Sequence, residues 1–150
     1  MADPGGEHYI LFSVAETIYA LPSAQVAHVE MVEQITRVPN AAPFVDGVVF
    51  SRGQVVPAVN MRVRFGFERV ARDLRTRLLV VQSDGRSVGL LVDACREFLN
   101  IPAAAIKPSG DGLSGVGAQY ITGIAALGDR LIVILDLGAL LDSAEPILAA

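Results

Sequence analysis

The amino-acid sequence predicts an all-β fold. Short apolar runs of strand length recur along the 150 residues, and turn-forming Gly, Asp and Pro separate them. Apolar residues at helical spacing are confined to the connectors and the C-terminus. In addition, one stretch recurs 76 positions later along the chain. Together these observations indicate two similar small barrels, each of about five strands, packed into one unit.

Ten strands are predicted, and most of them are joined as hairpins. They cover residues 9–14, 18–21, 26–32, 47–50, 55–59, 78–82, 88–92, 96–101, 120–127 and 131–135. Pro22 ends the second strand because it has no N–H to donate to a neighbouring strand. Residues 26–32 alternate apolar and polar side chains, which is typical of a half-buried strand. Asp84-Gly85 between two apolar runs is the strongest hairpin signal in the chain.

Helix is predicted only in short pieces. Residues 22–25 and 103–106 can each form a single helical turn. Asp136 is predicted to cap a terminal helix whose Leu137, Leu140 and Leu141 share one face. Residues 62–77 are predicted to be a polar connector, and the glycine-rich residues 108–119 a mobile loop.

The two copies of the repeat share their pattern of apolar positions rather than identical residues. Phe44-Val45-Asp46-Gly47-Val48 aligns with Tyr120-Ile121-Thr122-Gly123-Ile124, and residues 55–61 align with residues 131–137. Only the glycine is identical, while the apolar positions match throughout. Residues 18–32 relate less closely to residues 88–101. This pattern is what predicts two barrels rather than one larger sheet.

Composition excludes several classes of function. The net charge of −4 gives nucleic acid no electrostatic footing. The single cysteine excludes an internal disulfide and a multi-cysteine zinc site. No apolar run is long enough to span a bilayer, and the N-terminus lacks a signal-peptide pattern, so we expect a cytoplasmic protein. We expect residues 1–8 to be disordered, residues 9–142 to form the domain and residues 143–150 to form a tail.

No catalytic or metal-binding constellation is found in the sequence. Residues 110–115 match the letters of G-x-G-x-x-G but lack the preceding strand and following helix that bind a dinucleotide, so a loop is predicted. His8 and His28 are too few for a metal site, and His28 is interpreted as a surface contact residue. Cys95 is interpreted as a half-buried filler without a partner base, and Asp93, like Asp136, as a capping carboxylate. Neither a cofactor nor an enzymatic activity is expected.

Arg52 lies at the tip of the hairpin formed by residues 47–50 and 55–59. The surrounding residues are almost wholly apolar. An arginine at such a tip either keeps the protein soluble or anchors a protein interface, where arginine beside exposed apolar residues is enriched. The residues alone leave both interpretations open.

Several segments, taken in order and spacing, resemble the CheW family of adaptors, which couple chemoreceptors to the CheA histidine kinase. The resemblance extends from about Tyr9 to Leu141 and is carried by 36-TRVPN-40, 44-FVDGV-48, 52-RGQVVPAV-59, 88-VGLLVD-93, 120-YITG-123 and 127-LGDR-130. It implies two SH3-like five-stranded barrels, with short helices and a C-terminal helix. It also implies a non-catalytic scaffold at receptor arrays on the inner face of the membrane. The implied partners are the regulatory domain of a CheA-type kinase and the helical tip of a methyl-accepting chemoreceptor, without nucleic acid and without insertion into the membrane.

The resemblance assigns the candidate contact residues by position. Carried over in this way, Arg52, Gly47 and Gly53 belong to the interaction region, and Val26, His28 and Val29 lie on the neighbouring strand. Phe50 stands where the family commonly has asparagine, His28 where it often has glutamate, and Asn60 where it commonly has aspartate. Phe50 adds apolar surface beside Arg52 and joins the candidate contact residues.

Three other functions stay open, and the departures at Phe50, His28 and Asn60 indicate the first of them. One is a specialised adaptor of a two-component pathway other than chemotaxis. A second, from a different class, is a small-molecule-binding barrel or a minor enzyme using Asp93, Cys95 or Asp136. A third is a domain cut from a larger kinase or coupling protein.

Overall fold

A computed structural model describes residues 6–108 and 118–141, and within them the chain is mostly β-strand. The strands are β1 Glu7–Val14, β2 Thr17–Pro22, β3 Val26–Met31, β4 Val45–Ser51, β5 Gln54–Asn60, β6 Arg77–Ser83, β7 Arg86–Val92, β8 Ala94–Ile101, β9 Ile106–Pro108, β10 Ile121–Leu127 and β11 Arg130–Leu135. The helices are α1 Met61–Arg64 and α2 Leu137–Leu141, and single 3-10 turns cover Ser23–Gln25, Ala103–Ala105 and Ala118–Tyr120. None of these described helices has the length or apolarity needed to cross a membrane.

The strands form two sheets that exchange segments of the chain. The order of the first is β8-β1-β2-β11-β10-β9, and that of the second is β3-β6-β7-β5-β4. The chain begins in the six-stranded sheet, builds the whole five-stranded sheet and then returns to complete the first. The predicted all-β class with two β subdomains is confirmed. The subdomains differ from ideal barrels because, among the described residues, backbone pairing does not close either sheet.

All ten predicted strands are present, and three elements were missed: α1, β9 and the 3-10 turn Ala118–Tyr120. The chain forms α1 at the start of the predicted polar connector because the Asn60 side chain accepts a hydrogen bond from the Val63 N–H, as an N-cap does. The three-residue strand β9 follows the predicted turn at 103–106. β1 begins at Glu7, inside the segment predicted to be disordered, because Glu7 pairs with Ile101. Most of the predicted mobile loop, 109–117, lies outside the described residues.

The repeat appears in the backbone at the predicted offset. The register of β4 and β5 shifts between Val45 and Gly47, and the register of β10 and β11 shifts at the equivalent place, between Ile121 and Gly123. At the end of β5 the Asn60 side chain caps α1. In the same way Asp136 Oδ1 accepts a hydrogen bond from Ala139 N at 3.2 Å and caps α2, as predicted. The two halves therefore share local geometry as well as apolar pattern.

One core joins the two sheets. Its fully buried members come from both, including Ile10 and Phe12 of β1, Leu79 of β6 and Leu90 of β7. The predicted helix face, Leu137, Leu140 and Leu141, is buried in the same cluster. Because each sheet covers the apolar face of the other, the position of the hairpins on one sheet depends on the packing of both.

Polar contacts also connect the two sheets. Arg62 forms a bidentate ion pair with Asp93, with Nη2 and Oδ2 2.7 Å apart, and the same carboxylate accepts a hydrogen bond from Ala15 N. Two parallel hydrogen bonds between a guanidinium and a carboxylate are stronger than hydrogen bonds between neutral groups. The hydrogen bond to Asp93 raises the pKa of Arg62. Asp93 thus ties the end of β7 to the β1–β2 turn and to α1, which is a structural role.

Candidate protein-interaction surface

The hairpin of β4 and β5 turns through only two residues, Arg52 and Gly53. Ser51 pairs with Gln54, and both turn residues have positive φ, +48° and +82°. Two successive positive φ angles give the turn whose twist matches that of the flanking strands. This geometry lifts Arg52 away from the sheet. Among the described residues, no hydrogen bond or ion pair holds its guanidinium, and its side chain is exposed.

Large apolar side chains surround this arginine. Phe50 and Val55 are directly opposite each other across the hairpin and are 75% and 65% exposed. Met31, at the end of β3, is 62% exposed and lines the same groove as Phe50 and Arg52. We call Met31, Phe50, Arg52 and Val55 the hairpin patch. Contiguous apolar side chains around one unpaired cation are typical of a surface that binds another protein.

A groove of about 570 Å³ continues from the hairpin patch. One wall is formed by residues 30–34, which include Glu30 and Glu33, and the other by residues 48–52 of β4 and the turn. The groove therefore presents carboxylates on one side and Arg52 on the other. A partner segment with both charges on an apolar face would fit this arrangement.

A cluster of three polar side chains joins the two edge strands of the five-stranded sheet beneath the hairpin patch. Ser51 Oγ of β4 donates to Glu30 Oε2 of β3 at 2.9 Å, and His28 Nε2 lies 3.0 Å from Ser51 Oγ and 2.9 Å from Glu30 Oε2. Since Ser51 gives its only hydrogen to Glu30, His28 must donate from Nε2. We call Ser51, Glu30 and His28 the edge clasp. It fastens β3 to β4 where the backbone leaves them unpaired and so positions the β4–β5 hairpin.

Ser51→Ala is expected to lower the free energy of unfolding by about 1 kcal/mol, the usual net cost of losing such a hydrogen bond. The loss stays moderate because His28 and Glu30 keep their contact with each other. Equilibrium denaturation in urea measures it. Ser87→Ala is the control, since Ser87 is half-buried and its side chain forms no hydrogen bond among the described residues; a change of less than about 0.5 kcal/mol is expected there. Equal losses in the two variants would contradict a role for the clasp.

The structure brings some of the predicted contact residues together and separates others. Phe50, Arg52 and Gly53 lie together at the hairpin tip, and His28 lies beneath them in the edge clasp. Val26 and Val29 are half-buried and pack against the main core.

Gly47 is buried at the opposite end of β4, where a Cβ would come within 2.2 Å of the Thr36 carbonyl oxygen. Its contribution is therefore to the shape of the hairpin rather than to a contact side chain.

Sequence reasoning missed Ser51, Glu30, Met31 and Val55. Ser51 was interpreted as part of the turn, whereas it is the last residue of β4 and only 5% exposed. The repeat aligns Val55 with Leu131, but only the structure shows that both are exposed, at 65% and 66%. No signal in the sequence links Glu30 to Ser51.

The edge clasp has the residue types of a hydrolase triad but lacks its geometry. Glu30 contacts the same imidazole nitrogen that faces the serine, instead of orienting the ring from Nδ1. The serine is also buried and donates to the carboxylate. Burial raises the pKa of the Cys95 thiol, with Arg77 opposing part of the shift, so this cysteine is a poor nucleophile. Among the described residues, no group of three or more His, Cys, Asp and Glu could hold a metal ion.

The fold and the surface define a class: a small non-catalytic scaffold made of two interlocked β subdomains with an exposed protein-contact hairpin. The family model of the CheW-like domain matches residues 8–145. The chain is 31% identical over 140 residues to "Chemotaxis protein CheW" of Klebsiella aerogenes, covering 93% of this chain and 84% of that protein. The chain belongs to the CheW-like family.

Two further comparisons agree with this assignment. "Protein FrzA" of Myxococcus xanthus is 28% identical over 142 residues, covering 93% of this chain and 88% of that protein. The crystal structure of the scaffolding protein TtCheW from Thermoanaerobacter tengcongensis superposes with a TM-score of 0.85 at 28% identity, covering 95% of this chain and 99% of that one. The predicted family, the two β subdomains and the non-catalytic scaffold class are thus confirmed.

Proposed function

We propose that this protein couples a methyl-accepting chemoreceptor to the regulatory domain of a CheA-type histidine kinase. The observation that carries the proposal is the hairpin patch, an unpaired arginine among exposed apolar side chains on a chain of the CheW-like family. The naming of several relatives as chemotaxis proteins supports the pathway. In this role the protein acts in the cytoplasm, at receptor arrays on the inner face of the membrane.

The chemistry of the hairpin patch fits reversible assembly. Met31, Phe50 and Val55 provide apolar area that gains affinity when a partner covers it, and Arg52 provides one charge that restricts which partner fits. The edge clasp holds the two strands behind the patch, so little conformational freedom is lost on binding. The same features need no cofactor.

One specific observation favours a narrower alternative, an adaptor for a two-component pathway other than chemotaxis. Phe50 is 75% exposed at the centre of the hairpin patch, where the family commonly has asparagine. An exposed phenylalanine selects a partner with a matching apolar pocket. Phe50→Asn is therefore expected to weaken binding to the cognate kinase and receptor while strengthening binding to those of a standard chemotaxis system.

Arg52→Glu is expected to weaken binding to the kinase or the receptor by roughly tenfold or more, the effect of reversing a charge at an interface hot spot. The melting temperature should hardly change, because Arg52 is exposed and, within the described residues, has no bonded partner. Pull-downs of the wild type and the variant with the kinase and receptor from the same organism measure this.

Arg96→Glu on β8 is the matched control, since Arg96 is likewise exposed without a bonded partner among the described residues but lies on the other sheet. Retained binding by Arg96→Glu is expected. Equal binding by the wild type and Arg52→Glu would overturn the assignment of the hairpin patch.

A further inference from the structure

A second groove, apart from the hairpin patch, lies between residues 35–46 and the connector at residues 69–72. It encloses about 730 Å³ and is larger than the groove beside Arg52. Its apolar lining includes Ile35, Val38 and Val70, and Val70 is 50% exposed. The proposed adaptor function leaves this groove without a role.

The charge of this groove is positive. Arg37, Arg69 and Arg72 line it against a single carboxylate, Asp46. Arg69 already binds that carboxylate, with Nη2 and Nε 2.7 and 2.9 Å from Oδ1, and also donates to the Pro43 carbonyl at 3.0 Å. Two exposed cations, Arg37 and Arg72, remain without a bonded partner among the described residues. An occupant with two negative charges beside apolar side chains would complement the groove.

The last residues of this chain have that composition. Residues 142–150 read DSAEPILAA, with Asp142 and Glu145 as the only charged side chains. Ile147 and Leu148 follow directly after Pro146. The segment thus offers two carboxylates followed by two large apolar side chains, and it lies outside the described residues.

The end of α2, from which this segment departs, is connected to the edge of the groove through Arg64 and Phe44. The Leu140 carbonyl accepts a hydrogen bond from Arg64 Nη2 at 3.0 Å, and the guanidinium carbon of Arg64 lies 4.3 Å from the centre of the Phe44 ring. The neighbours of Phe44 along the chain, Pro43 and Val45, both line the groove. Nine extended residues reach up to roughly 30 Å, which is the maximum distance from the end of α2 that residues 142–150 can cover.

We propose that residues 142–150 bind in this groove of the same chain, with Asp142 and Glu145 facing Arg37 and Arg72. The tether keeps the local concentration of the segment high, so even weak contacts hold it in place. The apolar residues Ile147 and Leu148 cover Val38 and Val70. An acidic segment of a partner protein would have to displace the tail, which makes the two mutually exclusive at this groove.

The test is a pair of nitroxide labels at Leu74→Cys and Ala149→Cys in the full chain, with Cys95→Ala to remove the native thiol. Leu74 is 86% exposed and follows Arg72, a lining residue of the groove, by two positions. Pulsed electron-spin resonance is expected to give one narrow peak in the distribution of distances between the two labels. Asp142→Lys with Glu145→Lys should broaden it, and adding Arg37→Glu with Arg72→Glu should restore it. Dilution with a tenfold excess of unlabelled protein should leave the peak in place.

Three outcomes would overturn the proposal: a broad distribution in the starting chain, a peak unaffected by the charge reversals, or a peak lost on dilution. The last would mean that the tail binds a second copy. An unlabelled measurement guards against label effects. Amide exchange in residues 37–42 of the otherwise unmodified chain should speed up several-fold in Asp142→Lys with Glu145→Lys, and unchanged exchange there would contradict the proposal.

Discussion

Gly47→Ala is expected to lower the free energy of unfolding by about 3 kcal/mol, which combines backbone strain with a steric clash. The φ angle of Gly47 is +146°, a conformation that a residue with a Cβ rarely adopts. A Cβ would also come within 2.2 Å of the Thr36 carbonyl oxygen, and Thr36 is held there by hydrogen bonds to Val48. Since the obstacle is backbone, it cannot rotate away. Chemical denaturation of the variant measures the loss.

Two other glycines separate the causes of this effect. Gly53→Ala keeps the positive φ but meets nothing within 4 Å, so a loss of only about 1 kcal/mol is expected. Gly123→Ala, at the equivalent position of the other sheet, puts a Cβ 2.6 Å from the Lys107 carbonyl oxygen and is expected to lose about 2 kcal/mol. The expected order is therefore Gly47, Gly123, Gly53. A loss at Gly47 no larger than at Gly53 would contradict the close approach to Thr36.

The repeat could be recognised from the sequence because its strongest constraint is local. Gly47 and Gly123 each lie at a strand irregularity against a neighbouring backbone, where no side chain fits. The apolar positions around them tolerate exchange among Val, Ile and Leu, so pattern survives where identity does not. The caps by Asn60 and Asp136 are equally local, yet only Asp136 was recognised. The residues that follow Asn60, MRVRF, alternate apolar and charged side chains and show no helix face, whereas Leu137, Leu140 and Leu141 share one.

The candidate site could be predicted only where it depends on local sequence. Arg52 and Phe50 belong to a hairpin whose turn is readable from Gly53. The edge clasp depends instead on how the five-stranded sheet curls, which brings Ser51 to Glu30 across 21 positions of the chain. Met31 and Val29 fall on the same side of β3 by alternation, but Val29 packs on the core and Met31 is exposed at the end of an edge strand. Such differences in exposure depend on tertiary packing rather than on the alternation of side chains along a strand.

The shared core has a thermodynamic consequence that distinguishes one folding unit from two. Leu137 follows the six-stranded sheet along the chain, is 1% exposed and belongs to the cluster that contains Leu79 of the five-stranded sheet. Helix α2 packs against β6. Truncating a fully buried leucine removes contacts and leaves a cavity, which typically costs about 2–5 kcal/mol. Because that cavity adjoins residues of both sheets, the truncation is expected to destabilise both.

Leu137→Ala is therefore expected to reduce amide-exchange protection in β6 and in β11 by the same 2–5 kcal/mol, as in a single cooperative transition. Ile132→Ala is the more demanding variant, because Ile132 lies in a cluster made only of residues from the six-stranded sheet and the loops beside it. If the halves unfold together, Ile132→Ala also lowers protection in β6, although no residue of β6 belongs to that cluster. Lost protection confined to the six-stranded sheet would show two independent units. It would also mean that the stability of the β4–β5 hairpin, and of the hairpin patch on it, does not depend on the six-stranded sheet.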